Sequence, residues 1–329
     1  PRPSPILSGL VGSEMCIRDS PRLVSIPLSE NTFSRISRAA LIDDALQYSE
    51  SYVIGEGTNS SQIARAISEW STKFLMPGTF AVRSRSIGIS IDGISTKEIE
   101  MAVGDSISSD RNNVDLDDPQ IEISVVIAGQ TEGDPHPDPL EDTPPIAVWG
   151  IRNPEWGREK YSGRSPTERP FFKPVSLEPR QARLMISLGH RPGWDVKQVV
   201  DPFCGTGGIL IEGGKVKLNL IGLDILERMV ENTNGNLKHF GLEGEIKQGD
   251  VGHITEFEFD AIICDPPYGI STTTAGEEIN DLMRRTMDAF SKSTKKGKRI
   301  VMAVSNPSII PTKSFTVVKT FKWYVPVSY

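Results

Sequence analysis

The sequence VVDPFCGTGG at residues 199–208, together with AIICDPPYG at residues 261–269, decides the fold class of this chain. Each stretch is an apolar, β-branched run that stops at an acidic residue and then turns. Buried parallel strands have this pattern when their C-terminal ends open onto a site. The first turn is rich in glycine, which lets the backbone come close to a ligand. The second turn holds a carboxylate, two prolines and an aromatic ring.

Strand and helix patterns alternate around these two stretches. A helix is predicted over residues 180–189, and further helices start near residues 207, 226 and 277. The predicted strands are residues 198–201, 218–224, 245–249, 260–264 and 299–304. This alternation predicts a doubly wound α/β sheet. Residues 316–325 are predicted to add one or two further strands.

The front half of the chain has a mixed α+β pattern. Helices are predicted over residues 33–52, 60–74 and 95–104, the second capped by Ser60 or Ser61. A strand over residues 78–85 places Arg83 and Arg85 on one side, and the remaining predicted strands are 121–127 and 146–150. The proline- and acid-rich residues 131–145 are predicted to form an exposed loop.

The bulk properties limit the function classes. The net charge of -7 argues mildly against a nucleic-acid partner but does not exclude one, because binding depends on a local basic face. The three cysteines, Cys16, Cys204 and Cys264, are far apart and predict neither disulfides nor a metal site. No apolar run approaches the roughly 18 residues needed to cross a bilayer. We therefore expect a reducing, cytoplasmic setting.

Residues 1–20 do not have the pattern of a natural N-terminus. They lack an initiator Met, and their apolar part is too short and too interrupted for a signal peptide. Residues 9–20 resemble a string that recurs at the ends of unrelated environmental sequences. We interpret residues 1–20 as a non-native tail that replaces the true start, with a natural disordered tail as the alternative.

Acidic residues end three successive predicted strands of the second half. Each of Asp201, Asp224 and Asp250, taken alone, is compatible with an ordinary helix cap. An acid at the end of the second strand can also bind ribose hydroxyls. Together the three suit a cationic, ribose-bearing ligand such as S-adenosylmethionine. The glycine-rich turn lacks the lysine of a phosphate-binding loop, so phosphate is not the expected ligand.

The segment Asp265-Pro266-Pro267-Tyr268 carries the strongest chemical signal. Exocyclic amines of nucleobases are poor nucleophiles because their lone pair is delocalised into the ring. A carboxylate and a backbone carbonyl that accept the two N–H bonds hold the nitrogen with its lone pair aimed at a methyl donor. An aromatic ring that stacks on the base fixes its plane. The alternative reading is a rigid structural turn.

These motifs resemble those of class I S-adenosylmethionine-dependent methyltransferases that methylate amino groups. DPFCGTGG at 201–208 resembles motif I, Asp224 stands where motif II has its acid, DPPYG at 265–269 resembles motif IV, and ERPFFKP at 168–174 resembles motif X. The front half resembles a THUMP domain in FAVRSRSIG, STKEIEMAVGDSI and NVDLDDPQIEISVVIAG, within residues 80–129. The combination is similar to archaeal tRNA (guanine-10-N2)-methyltransferases over residues 33–325.

The resemblance implies a Rossmann-like, seven-stranded class I methyltransferase domain, preceded by an α+β THUMP domain and a truncated ferredoxin-like N-terminal part. The implied divisions are a tail at 1–20, a ferredoxin-like remnant at 21–58, the THUMP domain at 59–151, a linker at 152–175 and the methyltransferase domain at 176–329.

The resemblance also implies residue roles. S-adenosylmethionine is expected to bind Asp201, Phe203, Gly205, Thr206, Gly207, Asp224, Ile225, Asp250 and Val251. The expected catalytic residues are Asp265, Pro266, Pro267 and Tyr268, and the expected RNA-binding residues are Arg83, Arg85 and Arg180. The implied partner is tRNA, and we expect a monomer without a metal or a membrane anchor.

The sequence therefore predicts a tRNA methyltransferase that methylates guanine N2 once or twice, with guanine-10 as the target. One alternative is a THUMP enzyme that methylates guanine N2 elsewhere in tRNA or in ribosomal RNA. A DNA adenine-N6 methyltransferase is a second alternative, against which the THUMP-like half argues. A third is an RNA-binding protein with an inactive catalytic half, against which the intact Asp265–Tyr268 segment argues.

Overall fold

The chain divides into two compact units, Pro1–Ser162 and Gly163–Tyr329. The structure, a computed structural model, describes residues 6–11, 23–27, 36, 38–88, 90–129, 144–173, 176–190, 196–267 and 277–322. The division between the units falls inside the predicted linker at 152–175. The other domain boundaries stay predictions.

The described strands of the first unit form one mixed sheet flanked by two helices. Its elements are β1 (Ile6–Val11), β2 (Leu23–Pro27), β3 (Ile42–Val53), α1 (Ser60–Phe74), β4 (Gly78–Ile87), α2 (Thr96–Ile107), β5 (Asn112–Val114), β6 (Ile121–Ala128) and β7 (Ile146–Arg152). The strand order is β2-β1-β3-β7-β6-β4-β5, and β4 pairs in parallel with both β5 and β6. Strand β1 lies within the predicted tail at 1–20, whose non-native origin stays a prediction.

Helix α1 covers the predicted residues, but its cap differs from the prediction. The cap is Asn59, whose side chain accepts from the Gln62 N–H while the Gln62 side chain accepts from the Asn59 N–H. Ser60 is not available for capping, because its hydroxyl bonds the Gly93 carbonyl and accepts from the Ser95 N–H. On the inner face of α1, Ile63, Ile67 and Trp70 are buried against the sheet, as the helical spacing predicts.

The prediction of a helix over residues 33–52 is wrong from Ile42 onward, where the chain forms β3. The apolar spacing of this segment fits a helix locally. However, β3 pairs on one side with β1 and on the other with β7, so both of its edges find hydrogen-bond partners. Tertiary pairing of this kind overrides a local preference.

The second unit is a five-stranded parallel sheet with helices, among the residues described. Its elements are α3 (Pro179–Gly189), β8 (Gln198–Asp201), α4 (Gly208–Lys215), β9 (Asn219–Asp224), α5 (Glu227–His239), β10 (Glu245–Gln248), β11 (Ala261–Cys264), α6 (Ile279–Ser293) and β12 (Arg299–Met302). The strand order is β10-β9-β8-β11-β12. Two buried apolar clusters include alternating residues of β8, for example Val199 in one and Val200 in the other. This alternation places a core on each face of the sheet.

The predicted seven strands are not confirmed, because the described residues of the second unit form a sheet of five strands. Within the predicted strand at 316–325, residues 316–322 form no strand, and residues 323–325 lie outside the described residues. The side chains of Val317 and Val318 are 62% and 74% exposed. The apolar pattern that predicted a strand therefore finds no buried face in this part of the chain.

Candidate active site

A cavity of about 240 Å³ lies at the C-terminal edge of the sheet in the second unit. Its lining includes the last residues of β8 and β9 and the residues that follow β10 and β11. Parallel strands bring their carboxyl ends to one edge, which is where open α/β sheets bind ligands. The cavity collects ten of the predicted residues: Asp201, Phe203, Gly205, Thr206, Asp224, Ile225, Asp250, Val251, Asp265 and Pro267.

The other predicted residues lie elsewhere or outside the described part of the chain. Gly207 and Pro266 belong to the same two turns as lining residues but do not line the cavity themselves, and Tyr268 lies outside the described residues. Arg180 lies in the first turn of α3. In the first unit, the Arg83 guanidinium donates to the Leu116 carbonyl, and that of Arg85 donates to the Asp44 carboxylate at 3.3 Å. The role of these arginines in RNA binding stays a prediction.

The glycine-rich turn after β8 depends on two left-handed residues. Gly205 has a φ of 54° and Gly207 has a φ of 83°, and residues with a side chain rarely adopt these values. The Gly207 N–H donates to the Cys204 carbonyl at 2.7 Å, which closes the turn. A Cβ on Gly208 would lie 3.0 Å from Nη1 of Arg169. These glycines allow the turn and the start of α4 to line the cavity.

Asp224 is held rigidly at the end of β9. Its Oδ2 accepts from the Gly205 N–H at 3.0 Å, and its Oδ1 accepts from the Leu226 N–H at 2.9 Å. Burial raises the pKa of Asp224, and the two backbone donors and the charge of Lys173 oppose that rise. Each carboxylate oxygen retains acceptor capacity beyond its backbone bond. Asp224 can therefore accept from hydroxyl groups of a ligand in the cavity.

Asp201 and Asp265 concentrate carboxyl groups in apolar surroundings. Asp201 is only 2% exposed and accepts from the Phe203 N–H at 3.0 Å. Burial raises the pKa of Asp201 well above its usual range, and the charges of Asp265 and Asp224 raise it further. Burial also raises the pKa of Asp265 to about 7. A cationic ligand would stabilise the charged forms of both groups.

An arginine that the sequence analysis missed completes the side of the cavity beyond β10. Asp250 accepts from the Gly252 N–H at 2.7 Å and from the Arg285 guanidinium. Arg285, on α6, also pairs with Glu277 at 2.7 Å. Burial opposes ionisation of Asp250, but the Gly252 N–H and Arg285 outweigh it, so the pKa of Asp250 is lowered. No motif marks Arg285, because its role depends on how α6 packs.

A buried asparagine, also missed, ties the Phe171 segment to the glycine-rich turn. Asn236 on α5 is fully buried. Its Nδ2 donates to the Phe171 and Thr206 carbonyls at 2.7 and 2.8 Å, and its Oδ1 accepts from the Phe171 N–H at 3.0 Å. The hydroxyls of Ser176 and Thr206 lie 3.2 Å apart in a hydrogen bond. These bonds hold residues 171–173 and 176–177 as one wall of the cavity, which they line through Lys173, Ser176 and Leu177.

A buried cluster of charged side chains, formed by Glu212, Arg164 and Arg183, stabilises the same wall. Glu212 on α4 has no exposed surface and pairs with Arg164 at 2.7 Å and with Arg183 at 2.8 Å. Arg169 donates through Nε to the Arg164 carbonyl at 3.0 Å and through Nη2 to the Leu177 carbonyl at 3.4 Å. This Glu212 cluster therefore connects α3, α4 and the segment that precedes the wall.

The described residues include no group of three or more histidine, cysteine, aspartate or glutamate side chains that could hold a metal ion. In the same part of the chain, no helix has both the length and the apolar character needed to cross a membrane. Cys204 and Cys264 are buried free thiols.

Two family models match this chain. The methyltransferase domain described as RMKL-like matches residues 166–313, and the THUMP domain matches residues 58–131. The predicted combination of a THUMP domain with a class I methyltransferase fold is thereby confirmed. The crystal structure of TrmN from Thermus thermophilus has a similar fold, with a TM-score of 0.58 and 18% sequence identity over 95% of this chain and 92% of that chain.

Two curated relatives have the same name, tRNA (guanine(10)-N2)-dimethyltransferase. The chain is 36% identical to the protein from Methanothermobacter thermautotrophicus, over 68% of this chain and 62% of the relative. It is 31% identical to the protein from Pyrococcus abyssi, over 78% of this chain and 71% of the relative. The chain thus matches less than two thirds of the length of the first relative.

Proposed function

This chain belongs to the family of the archaeal tRNA (guanine(10)-N2)-dimethyltransferases, and from that premise we propose that it methylates guanine N2 in tRNA, with guanine-10 as the target. S-adenosylmethionine is the proposed donor. The observation that carries the proposal is the convergence of Asp201, Asp224 and Asp265 on one cavity beside a glycine-rich turn. An adenosine ligand with a positive charge suits this set of acids.

The donor site is assigned from the chemistry of the lining. When bound, S-adenosylmethionine supplies an electrophilic methyl group on its sulfonium. Asp224, held by two backbone donors, accepts from the ribose hydroxyls. The turn at Gly205 and Thr206 brings the backbone close to the donor, and Asp250 with Val251 forms the side of the cavity after β10. Phe203 and Ile225 add apolar surface.

The acceptor site is assigned to the turn after β11. Asp265 and the Pro266 carbonyl accept the two N–H bonds of the guanine amine, which directs its lone pair toward the methyl group. Pro267 stiffens this turn, and Tyr268 is proposed to stack on the base. A pKa of about 7 also suits Asp265 to accept the proton that the amine releases when its nitrogen takes the methyl group from the sulfonium, which would leave as the neutral thioether. Arg83, Arg85 and Arg180 are the proposed RNA contacts.

The test is methylation of an unmodified tRNA transcript with labelled donor, followed by nucleoside mapping. We expect label in N2-methylguanine or N2,N2-dimethylguanine at position 10. The matched control is the same tRNA with inosine at position 10, which lacks only the amine and should take up no label. Label at another nucleotide of the first transcript would contradict the proposed target, and transfer to adenine N6 of DNA would contradict the proposed substrate class.

A further inference from the structure

The charges that line the cavity are strongly unbalanced. Among the residues that the structure describes, five with carboxyl groups line it: Asp201, Asp224, Asp250, Asp265 and Glu277. The cations among the described lining residues are Lys173 and Arg285. Arg285 pairs with both Asp250 and Glu277. Among the described residues, Lys173 pairs with no carboxylate within 4.0 Å.

The backbone on both sides of Lys173 is anchored. On one side, Asn236 holds the Phe171 N–H and carbonyl at 3.0 and 2.7 Å. On the other, the Ser176 N–H donates to the Lys173 carbonyl at 2.9 Å. The Ser176 hydroxyl also accepts from the Lys173 N–H at 3.2 Å and bonds the Thr206 hydroxyl, also at 3.2 Å. Anchoring of the backbone restricts the region that the flexible lysine side chain can reach. The ammonium is thereby kept at the wall of the cavity that adjoins the glycine-rich turn.

The donor of the proposed reaction has charges of both signs. Its sulfonium and α-ammonium groups are positive and suit a cavity rich in carboxyl groups. Its α-carboxylate is negative, and in the same cavity it would be repelled unless a cation lies beside it. A carboxylate removed from water requires such a partner.

We propose that Lys173 binds the α-carboxylate of the methionine part of the donor. The assignment rests on the proposed function, because it takes S-adenosylmethionine as the donor. It explains why a cation without a carboxylate partner among the described residues lies in an acid-lined cavity. It also gives the anchored wall a role in binding, since Asn236 and Ser176 position the backbone that carries the ammonium.

The test compares two ligands that differ only in the carboxylate, S-adenosylhomocysteine and its decarboxylated counterpart. Their dissociation constants are measured by calorimetry with the parent protein and with Lys173→Met. We expect Lys173→Met to weaken the binding of S-adenosylhomocysteine by about ten- to a hundredfold, which is the range for the loss of a hydrogen bond to a charged group. The decarboxylated ligand should bind the two proteins within about twofold, because it lacks the group that Lys173 contacts.

Two further variants serve as controls. Lys173→Arg keeps the charge and should retain most of the affinity for S-adenosylhomocysteine. Lys238→Met removes an exposed lysine of α5 and should change neither affinity. Equal thermal unfolding of Lys173→Met and the parent would show that the wall is intact.

The other outcomes overturn the assignment. An equal loss of affinity for both ligands in Lys173→Met would mean that Lys173 supports the wall of the cavity and does not bind the carboxylate. No loss of affinity for either ligand would remove Lys173 from the donor site. In that case, the dependence of tRNA affinity on salt concentration would be measured. A logarithmic slope that is smaller by about one in Lys173→Met than in the parent would identify Lys173 as a phosphate contact. A parent protein that does not bind S-adenosylhomocysteine would overturn the proposed function itself, and the assignment with it.

Discussion

Buried carboxylates occur in two different settings within the second unit. Glu212 has no exposed surface, and two arginines, Arg164 and Arg183, neutralise it at 2.7 and 2.8 Å. Asp201 is 2% exposed, and no arginine or lysine among the described residues pairs with it. Burial raises the pKa of Asp201 and of its neighbour Asp265. Glu212 is therefore neutralised without a ligand, whereas a cationic ligand would favour the ionised form of Asp201.

The first unit also contains a buried carboxylate that is neutralised by two arginines. Asp44, nearly buried, pairs with Arg85 at 3.3 Å and with Arg152 at 2.9 Å, and the Ser124 hydroxyl donates to it at 3.3 Å. A paired buried acid therefore indicates a structural role in this protein. A buried acid at a cavity, with its pKa raised by burial, has the environment typical of binding and catalytic residues, which is the role proposed for Asp201 and Asp265.

Removal of Glu212 should have the largest effect on stability. Glu212→Ala leaves two arginines buried without their carboxylate, and breaking a buried ion pair in this way costs about 3–5 kcal/mol. Urea unfolding should show this loss of unfolding free energy. The matched control is Glu277→Ala, at a partly exposed ion pair, where a loss below about 1 kcal/mol is expected. Similar losses for both variants would contradict the contrast between buried and exposed pairs.

Removal of Asp265 should act on turnover more than on donor affinity. Its carboxylate is needed most when the guanine lone pair turns toward the methyl group, so the effect lies in the transition state. Loss of one oriented polar contact of this kind costs about 10²–10³ in rate. Single-turnover methylation of saturating tRNA should show at least this loss for Asp265→Ala, with Asp265→Asn retaining more activity. Equal rates for Asp265→Ala and the parent would remove Asp265 from the mechanism.

The carboxyl group of Asp265 should also make the stability of the protein fall as the pH rises. The pKa of Asp265 is about 7 in the native state, above its ordinary value of 3.8. Native Asp265 therefore holds a proton that the unfolded chain has released, and the stability that this proton provides is lost as the pH rises from about 4 to about 7. Asp265→Asn does not titrate.

The measurement is the unfolding free energy of Asp265→Asn relative to the parent at pH 5 and pH 8. We expect the relative stability of the variant to increase by about 3 kcal/mol over this range. A difference that is constant with pH would show that the native pKa of Asp265 is not raised.

Asp224→Ala should weaken the binding of the donor, and this effect is smaller than those predicted for Glu212 and Asp265. Loss of hydrogen bonds from ribose hydroxyls to a carboxylate corresponds to about a ten- to hundredfold loss of affinity. Calorimetry with S-adenosylhomocysteine measures this directly. Asp260→Ala is the control, because Asp260 accepts from backbone N–H groups at the opposite end of β8. Unchanged affinity for Asp224→Ala would refute the ribose contact.

Neighbouring residues along the chain were enough to predict ten of the residues that line the cavity. Apolar runs that end in an acid predicted β8, β9 and β11, and parallel strands bring such ends to one edge of a sheet. The glycines at 205 and 207 were recognisable because their left-handed φ angles are a local requirement. Ten of the predicted residues therefore line one cavity.

Tertiary packing decided what surrounds these residues. Asn236 contacts Phe171 across 65 residues, and Arg285 contacts Asp250 across 35. No local pattern marks either contact, because an asparagine or arginine on a helix is ordinary until its partner is in place. The segment 42–52 became a strand for the same reason, since β1 and β7 lie beside it. Turn chemistry and alternation depend on adjacent residues, whereas a buried polar group depends on partners that only the folded chain brings within reach.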